Sequence, residues 1–119
     1  MSRRLITTGS PFETAYGYSR AVIDGDMIFV SGTTGFDYAK MTISEDIETQ
    51  TDQCLRNIAA ALEQAGASLN DVVRATYVLP DGSEFPKCCP VLKRYFGNVR
   101  PAAIMISAGL ADPRIKIEI

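Results

Sequence analysis

The chain has 119 residues, of which 46% are hydrophobic and 22% are charged, and its formal net charge is −2. These values are typical of an ordinary globular protein, and we expect one domain over residues 1–119. The scattered basic residues disfavour a groove that follows nucleic-acid phosphates, and no apolar run approaches the roughly 20 residues that span a bilayer.

Histidine is absent, and the three cysteines are Cys54, Cys88 and Cys89. The absence of histidine excludes Ser-His and Cys-His nucleophiles and removes the commonest metal ligand, so we expect no metal site. Adjacent cysteines in an odd total do not suggest a disulfide framework. Because Met1-Ser2 leads through two arginines into a strand-like run, we expect no signal peptide and a cytoplasmic protein.

The first predicted element is a short strand at Leu5-Ile6-Thr7, and two further strands then form a hairpin. The runs 16–23 and 27–31 are strand-like, and Asp24-Gly25-Asp26 between them is typical of a tight turn. We expect a loop at 32–35, followed by a polar segment to Ser44.

Residues 45–65 carry the clearest helical pattern. Apolar and small residues recur three and four apart on one stripe, which includes Ile47, Thr51, Cys54, Leu55, Ile58, Leu62 and Ala65. Ser44 is the predicted cap, and Gly66 is the predicted stop. Cys54 lies on the stripe, so we expect it in the core.

A strand is predicted at 71–79, and a second helix at 83–96 with Ser83 as its cap. Pro90 removes an interior hydrogen bond from that helix, so we expect a kink or a late start. Two short strands separated by a Gly/Asp/Pro turn complete the chain. This order predicts an α+β fold, with a single mixed sheet and two helices on one face. The open face of the sheet favours self-association.

Glu118 lies in the otherwise apolar end of the last strand. A carboxylate there needs a partner or a wet pocket, because an unpaired buried charge is costly. Glutamate is usually exposed, so a solvated strand end is the alternative.

Six segments, taken in order, resemble the Rid (YjgF-type) family of reactive intermediate or enamine/imine deaminases. They are Gly9-Ser10-Pro11-Phe12, Gly17-Tyr18-Ser19-Arg20-Ala21, Phe29-Val30-Ser31-Gly32, Gln50-Thr51 to Asn57-Ile58, Ala65-Gly66-Ala67-Ser68-Leu69-Asn70-Asp71-Val72-Val73 and Ile115-Lys116-Ile117-Glu118. The resemblance covers nearly the whole chain.

The resemblance implies a chorismate-mutase-like fold of the order β-β-β-α-β-α-β-β and a homotrimer with clefts between subunits. Enzymes of this family hydrolyse 2-imino acids to 2-keto acids and ammonia without a cofactor. Such a site needs donors for the substrate carboxylate, a carboxylate that orients and deprotonates water, and an aromatic wall.

The resemblance also assigns roles to individual residues. Glu118 corresponds to the water-handling glutamate, Tyr18 to the aromatic wall, and Ser31-Gly32 to the end of the first hairpin. Met105 corresponds to the residue whose backbone amide meets the substrate carboxylate.

Two positions depart from the family pattern. The carboxylate-binding arginine is replaced by Ala103, and an asparagine near the pocket is replaced by Cys89. Arg20 is our candidate for the missing anion-binding role, because it lies two residues after Tyr18; Arg100 is the other arginine near the missing position. Cys89 lacks a histidine partner, which favours packing over a nucleophilic role.

Two other functions remain open. Loss of the arginine at Ala103 favours a trimer that binds a small metabolite without turnover. Some relatives are labelled ribonucleases or translation inhibitors, but the acidic balance and the lack of a basic-aromatic surface argue against nucleic acid as a partner.

Overall fold

The computed structural model describes residues 3–119, so Met1 and Ser2, and with them the expectation about the start of the chain, lie outside the described residues. Its helices are α1 (Pro11–Tyr16), α2 (Ile47–Gln64) and α3 (Phe85–Phe96). Its strands are β1 (Arg3–Ile6), β2 (Ala21–Asp24), β3 (Met27–Val30), β4 (Phe36–Asp37), β5 (Thr42–Ile43), β6 (Arg74–Leu79) and β7 (Ala102–Ser107). Two short 3₁₀ helices, Leu69–Asp71 and Gly82–Glu84, precede β6 and α3.

The predicted hairpin is present as β2 and β3, which pair antiparallel with Asp24 opposite Met27. Gly25 in its turn has a φ of 62°, a left-handed conformation that glycine adopts at low cost. The prediction was wrong about Tyr16, which ends helix α1 instead of beginning a strand. Ser10 caps α1 by accepting a bond from Phe12 N, and Pro11 suits its first turn.

Helix α2 confirms the long helical stripe, although its cap differs from the prediction. Asp46, not Ser44, is the N-cap, and its carboxylate accepts a 2.9 Å bond from Thr49 N. Gly66 follows the helix with a φ of 81°, as a residue that ends a helix should. The predicted core position of Cys54 is confirmed, since its side chain is fully buried.

The second half of the chain differs from the prediction mainly at its boundaries. Strand β6 begins at Arg74, because the residues before it form the 3₁₀ helix and a short connection. Ser83 is not a helix cap: Asp81 caps the 3₁₀ helix by accepting from Ser83 N, and α3 begins at Phe85. The late start predicted from Pro90 is not found; Pro90 lies inside α3 on its exposed face, where water can hydrate the freed carbonyl.

The α+β architecture is confirmed, but the strands form three small sheets instead of one continuous sheet. These are β1-β2-β3, β4-β5 and the parallel pair β6-β7. The predicted last strand is present only as bridges at Glu118, which pairs with Thr34 on one side and Val78 on the other. Glu118 therefore links the loop between β3 and β4 to strand β6 and fixes the C-terminal segment between them.

Helices α2 and α3 pack on the same side of β6. Alternate β6 residues Ala75, Tyr77 and Leu79 share one apolar cluster with buried residues of both helices and with Ile117. Strand β7 is different, since all six of its residues are exposed. No helix among residues 3–119 is long and apolar enough to cross a membrane.

Candidate functional site

A cavity of about 580 Å³ opens where the β2–β3 sheet, α1, β4 and the C-terminal segment meet. Five of the residues singled out from the sequence line it: Tyr18, Arg20, Ser31, Gly32 and Glu118. Two stretches of the chain, 12–38 and 111–118, supply its polar groups and aromatic walls. Its size is that of a small-molecule site.

Arg20 is the dominant charge of the cavity, and its side chain is only 1% exposed. Its Nη1 donates to Gly32 O and to Thr33 Oγ1, both at 2.9 Å, and its Nη2 donates to the Tyr18 hydroxyl at 3.2 Å. Among the described residues it lies in no ion pair, and its Nε is buried without an acceptor. A buried guanidinium with spare donors is a candidate partner for an anion.

Tyr18 presents a protonated hydroxyl next to this charge. Burial raises the pKa of Tyr18 above its ordinary value, although the Arg20 charge lowers it in part. The hydroxyl oxygen accepts from Arg20, so its own proton stays free for another acceptor at neutral pH. The two side chains meet as the sequence analysis expected, although residues 18–20 precede β2 and do not belong to it.

Glu118 lies against Gly32. A side chain at Gly32 would collide with the Glu118 carboxylate, whose Cδ would lie 3.0 Å from the added Cβ. The same Gly32 presents its carbonyl oxygen to Arg20. Gly32 therefore contacts both Arg20 and Glu118, and the absence of a side chain at Gly32 leaves room for the Glu118 carboxylate.

Glu13 on α1 supplies negative charge behind the cavity. It is 4% exposed, and its Oε2 accepts from Thr8 N at 3.3 Å. Burial alone would raise the pKa of Glu13, but hydrogen bonds from Thr8 and Thr7 and the charge of Arg20 lower it overall. Glu13 is thus ionised at neutral pH and offsets part of the Arg20 charge without reaching ion-pair distance.

Hydrogen bonds hold the loop that carries Ser31 and Gly32. Ser31 Oγ donates to Ser19 O at 2.6 Å, and Cys54 Sγ donates to Thr33 O at 2.8 Å. Burial raises the pKa of Cys54, so its thiol stays protonated and serves as a structural donor. These bonds attach the loop both to the segment before β2 and to helix α2.

Aromatic side chains form the other wall. Phe12 and Tyr16 stack with ring centroids 6.3 Å apart, and Phe12 meets Phe36 edge-on at 6.1 Å. Phe36 stacks on Tyr38 at 6.4 Å. The Arg20 guanidinium lies 5.1 Å from the Tyr38 ring and 5.5 Å from the Tyr18 ring. The aromatic row therefore runs from the rim of the cavity to its charged end.

Three residues selected from the sequence do not line this cavity in the single chain. Ala103 lies on β7 opposite Ala75, and Met105 lies opposite Tyr77. Cys89 is exposed on α3, where its Sγ donates weakly to Phe85 O. Arg100, the other arginine considered, is exposed before β7 with a left-handed φ of 53° and does not line the cavity either.

Tyr18 was the only part of the aromatic wall assigned from the sequence; the cavity is also lined by Phe12, Tyr16, Phe36, Tyr38 and Asp112, which had no predicted role. Asp112 binds Arg114 at 2.8 Å, and the hydrogen bonds from that arginine lower the pKa of Asp112 to about 2. One local signal was readable: Ser10-Pro11 is a cap followed by a helix-starting proline, and it predicts the helix that carries Phe12. The contacts of Phe36 and Tyr38 have no comparable signal.

The chain matches known proteins over nearly all of its length. The family model described as Endoribonuclease L-PSP matches residues 8–119. A RutC family protein of Pyrococcus abyssi is 37% identical over 119 residues, which cover 99% of this chain and 94% of that protein. A 2-iminobutanoate/2-iminopropanoate deaminase of Capra hircus is 33% identical over 119 residues, covering 98% of this chain and 87% of that protein.

A solved structure agrees with these relatives. The crystal structure of Rv2704 from Mycobacterium tuberculosis, described as a member of the YjgF/YER057c/UK114 family, has a TM-score of 0.89 and 41% sequence identity. The match covers 98% of this chain and 94% of that one. The fold, the ordered sequence segments and the family model agree, and the chain belongs to the YjgF/RutC/Rid family.

Proposed function

We propose that this protein is a deaminase that hydrolyses a 2-imino acid, or a related imine or enamine, to a keto compound and ammonia without a cofactor. Membership of the Rid family and the resemblance to a deaminase at 33% identity support this proposal. The observation that carries it is the junction at Gly32, where the Glu118 carboxylate and the Arg20 guanidinium meet in one cavity.

The chemistry follows from these groups. Glu118 orients a water molecule and takes one of its protons as the oxygen attacks the imine carbon. The proton passes to nitrogen and gives a carbinolamine. The hydroxyl of the carbinolamine then gives up its proton to nitrogen as the carbon–nitrogen bond breaks, a carbon–oxygen double bond forms, and the nitrogen leaves as ammonia. Hydrolysis consumes one water and needs no oxidant or reductant.

Arg20 takes the role of the arginine that is missing at Ala103 and binds the substrate carboxylate. Its burial, its lack of an ion-pair partner among the described residues and its unpartnered Nε support this assignment. Tyr18, which keeps its proton, donates a second bond to the same anion. A guanidinium in a site shielded from water binds a carboxylate far more strongly than one on an open surface.

The functional assembly is a homotrimer with its sites between subunits. The exposed apolar side chains of β7 and of the β1–β3 sheet favour such burial, with Ile104 46%, Ile106 43% and Phe29 57% exposed. Assembly would also give Ala103, Met105 and Cys89 a place, since a cleft between chains can receive residues that stay outside the cavity of one chain. The substrate-facing roles of these three residues belong to this proposal.

A metabolite-binding trimer without turnover is the second candidate, and Ala103 is the observation that favours it. Truncating an arginine that pairs with a carboxylate costs about 2–5 kcal/mol at a desolvated site, which lowers turnover by orders of magnitude. This candidate predicts that keto acids raise the melting temperature while imines are not consumed.

The experiment generates 2-imino acids with an amino-acid oxidase and measures, by semicarbazide trapping, the imine that survives. Wild type, Glu118→Gln and Ala103→Arg are run together, with Glu45→Gln, an exposed carboxylate outside the cavity, as the matched control. Loss of imine with wild type and with Glu45→Gln, but not with Glu118→Gln, supports the deaminase. Activity that appears only in Ala103→Arg supports the binding protein.

A further inference from the structure

Phe12 and Tyr16, at the aromatic end of the cavity, take no part in the hydrolysis itself. The reacting groups Glu118, Arg20 and Tyr18 lie together around Gly32. Phe12 and Tyr16 continue the cavity on its other side, on a helix that contributes neither an acid nor a base to the reaction. These two rings are therefore placed to contact the part of the substrate that does not react.

The cavity of the single chain is larger than a small imino acid needs. At about 580 Å³ it falls in the middle of the range for drug-sized ligands. A three-carbon imino acid held at Arg20 and Glu118 would leave the space beside Phe12 and Tyr16 to water. A substrate with a larger apolar group would displace that water and bury the rings.

The aromatic rings of the cavity differ in how far they are buried within the chain. Phe36 is buried, and it makes ordinary contacts with Phe12 and Tyr38. Tyr16, by contrast, is 76% exposed although its ring lines the cavity and stacks on Phe12. An exposed aromatic ring at the mouth of a cavity offers a face to a ligand, in the offset or edge-on arrangements that aromatic pairs prefer.

The chemistry of the wall favours a neutral ring over a cation. The position between Tyr18 and Tyr38 is already filled by the Arg20 guanidinium, and Arg114 lies 5.2 Å from the Phe36 ring. The Tyr18, Tyr38 and Phe36 rings thus already face a guanidinium group, whereas none among the described residues lies over Phe12 or Tyr16. The nearly parallel Phe12 and Tyr16 rings, which are inclined by 18°, match the flat shape of an uncharged planar group.

We propose, resting on the deaminase function above, that the preferred substrates carry an aromatic side chain, which packs on Phe12 and Tyr16 while the imino acid group is held at Arg20 and Glu118. Phe12 is the specificity-determining residue, because it contacts both Tyr16 and Phe36 and so lies between them in the aromatic row. The reaction remains the hydrolysis written above, in which only the carbon–nitrogen bond breaks.

The kinetic test compares the imines of phenylalanine and alanine, with wild type, Phe12→Leu and the control Val73→Ala. Val73 is an exposed apolar residue just before β6 that neither lines the cavity nor lies on β7 or the β1–β3 sheet. We expect kcat/KM in wild type to be at least tenfold higher for the aromatic imine. Phe12→Leu should lower that value about tenfold and leave the alanine imine within twofold, and Val73→Ala should change neither. Equal use of both imines by wild type, or an equal loss of both in Phe12→Leu, would overturn the proposal.

A binding measurement separates this inference from the deaminase proposal. Phenylpyruvate and pyruvate, as 2-keto acids, are titrated calorimetrically into the same three proteins. Tighter binding of phenylpyruvate by at least tenfold, lost in Phe12→Leu only, supports the aromatic site even if no imine is hydrolysed. Equal binding of the two keto acids, or binding of neither, overturns the aromatic site even if small imines are hydrolysed.

Discussion

Gly32 and Glu118 are in contact because Gly32 has no side chain. An added Cβ at Gly32 would lie 3.0 Å from Glu118 Cδ and 3.4 Å from its Cγ, and closer still to Oε2. The collision involves the far end of a flexible side chain, so the carboxylate can swing aside while the backbone stays in place. The position of the proposed catalytic carboxylate thus depends on a glycine 86 positions earlier in the chain.

Gly32→Ala should therefore lower activity much more than stability. We expect kcat to fall about tenfold or more, because even a small displacement of a catalytic group is costly, while the melting temperature changes by only a few degrees. Gly109→Ala is the matched control, since a Cβ there meets nothing within 4 Å. Steady-state kinetics and thermal unfolding of both variants check this, and an unchanged kcat in Gly32→Ala would show that Glu118 does not act from this position.

Arg20→Lys tests the anion-binding role. Lysine keeps the charge but loses the planar fork that holds Gly32 O, Thr33 Oγ1 and Tyr18 at once. We expect KM for charged imino acids to rise at least tenfold, with a smaller effect on an imine that lacks a carboxylate. The comparison of the two substrates excludes a merely structural loss, which would lower turnover of both alike. Full activity of Arg20→Lys on charged imino acids would refute the role.

Asp52 connects helices α2 and α3, and it predicts a pH dependence of stability. Its carboxylate accepts from Arg94 Nη2 at 2.8 Å and from the Tyr95 hydroxyl at 2.7 Å, and it pairs with Arg56 on its own helix. The hydrogen bond from Tyr95, together with those from the two arginines, lowers the pKa of Asp52 in spite of its partial burial.

The folded-state pKa of Asp52 lies below the unfolded value of about 3.9, so its stabilisation is complete above that pH and is lost as the pH falls through the folded pKa. Asp52→Asn should lower the free energy of unfolding by about 1 kcal/mol at pH 7, and the difference from wild type should close below about pH 4. Urea denaturation at fixed protein concentration measures this difference in the free energy of unfolding at each pH, with Asp26→Asn in the β2–β3 turn as control. A difference that stays constant down to pH 3 would contradict this assignment.

The exposed face of β7 predicts assembly. Three chains of 12.9 kDa give about 39 kDa, the mass we expect from light scattering of wild type. Ile104→Lys places a charge on that face and should shift the mass toward a single chain, because an unpaired charge at the centre of an interface is expensive. Thr42→Lys, on exposed β5, should leave the trimer intact. A monomeric wild type would remove the proposed site between subunits.

The sequence predicts the elements whose patterns are long or whose turns are distinctive. Helix α2 has five turns of a regular stripe, and the β2–β3 hairpin has a glycine where a positive φ is needed. Helix α1 has six residues, too few for a stripe, and only its Ser10-Pro11 cap indicates it locally. Strands β4 and β5 have two residues each, and no local pattern reveals elements that short.

The candidate site also has residues that the sequence predicts and residues that it does not. The resemblance selects Tyr18, Ser31, Gly32 and Glu118, and the pairing of Glu118 with Thr34 brings them to one cavity. Gln50 was missed although it lies on the stripe of α2, because glutamine is usually exposed. It is fully buried and holds the C-terminal segment by donating to Arg114 O at 2.8 Å and accepting from Lys116 N at 2.9 Å. A polar residue on an apolar stripe was the available signal.

The most direct test of the deaminase proposal is the rate at which wild type and Glu118→Gln remove an oxidase-generated 2-imino acid before semicarbazide traps it. Glutamine keeps the size of the side chain at Gly32 but accepts no proton from water. The proposal predicts rapid loss of imine with wild type and a rate at least a hundredfold lower with Glu118→Gln, at unchanged melting temperature. Equal rates in the two proteins would contradict it.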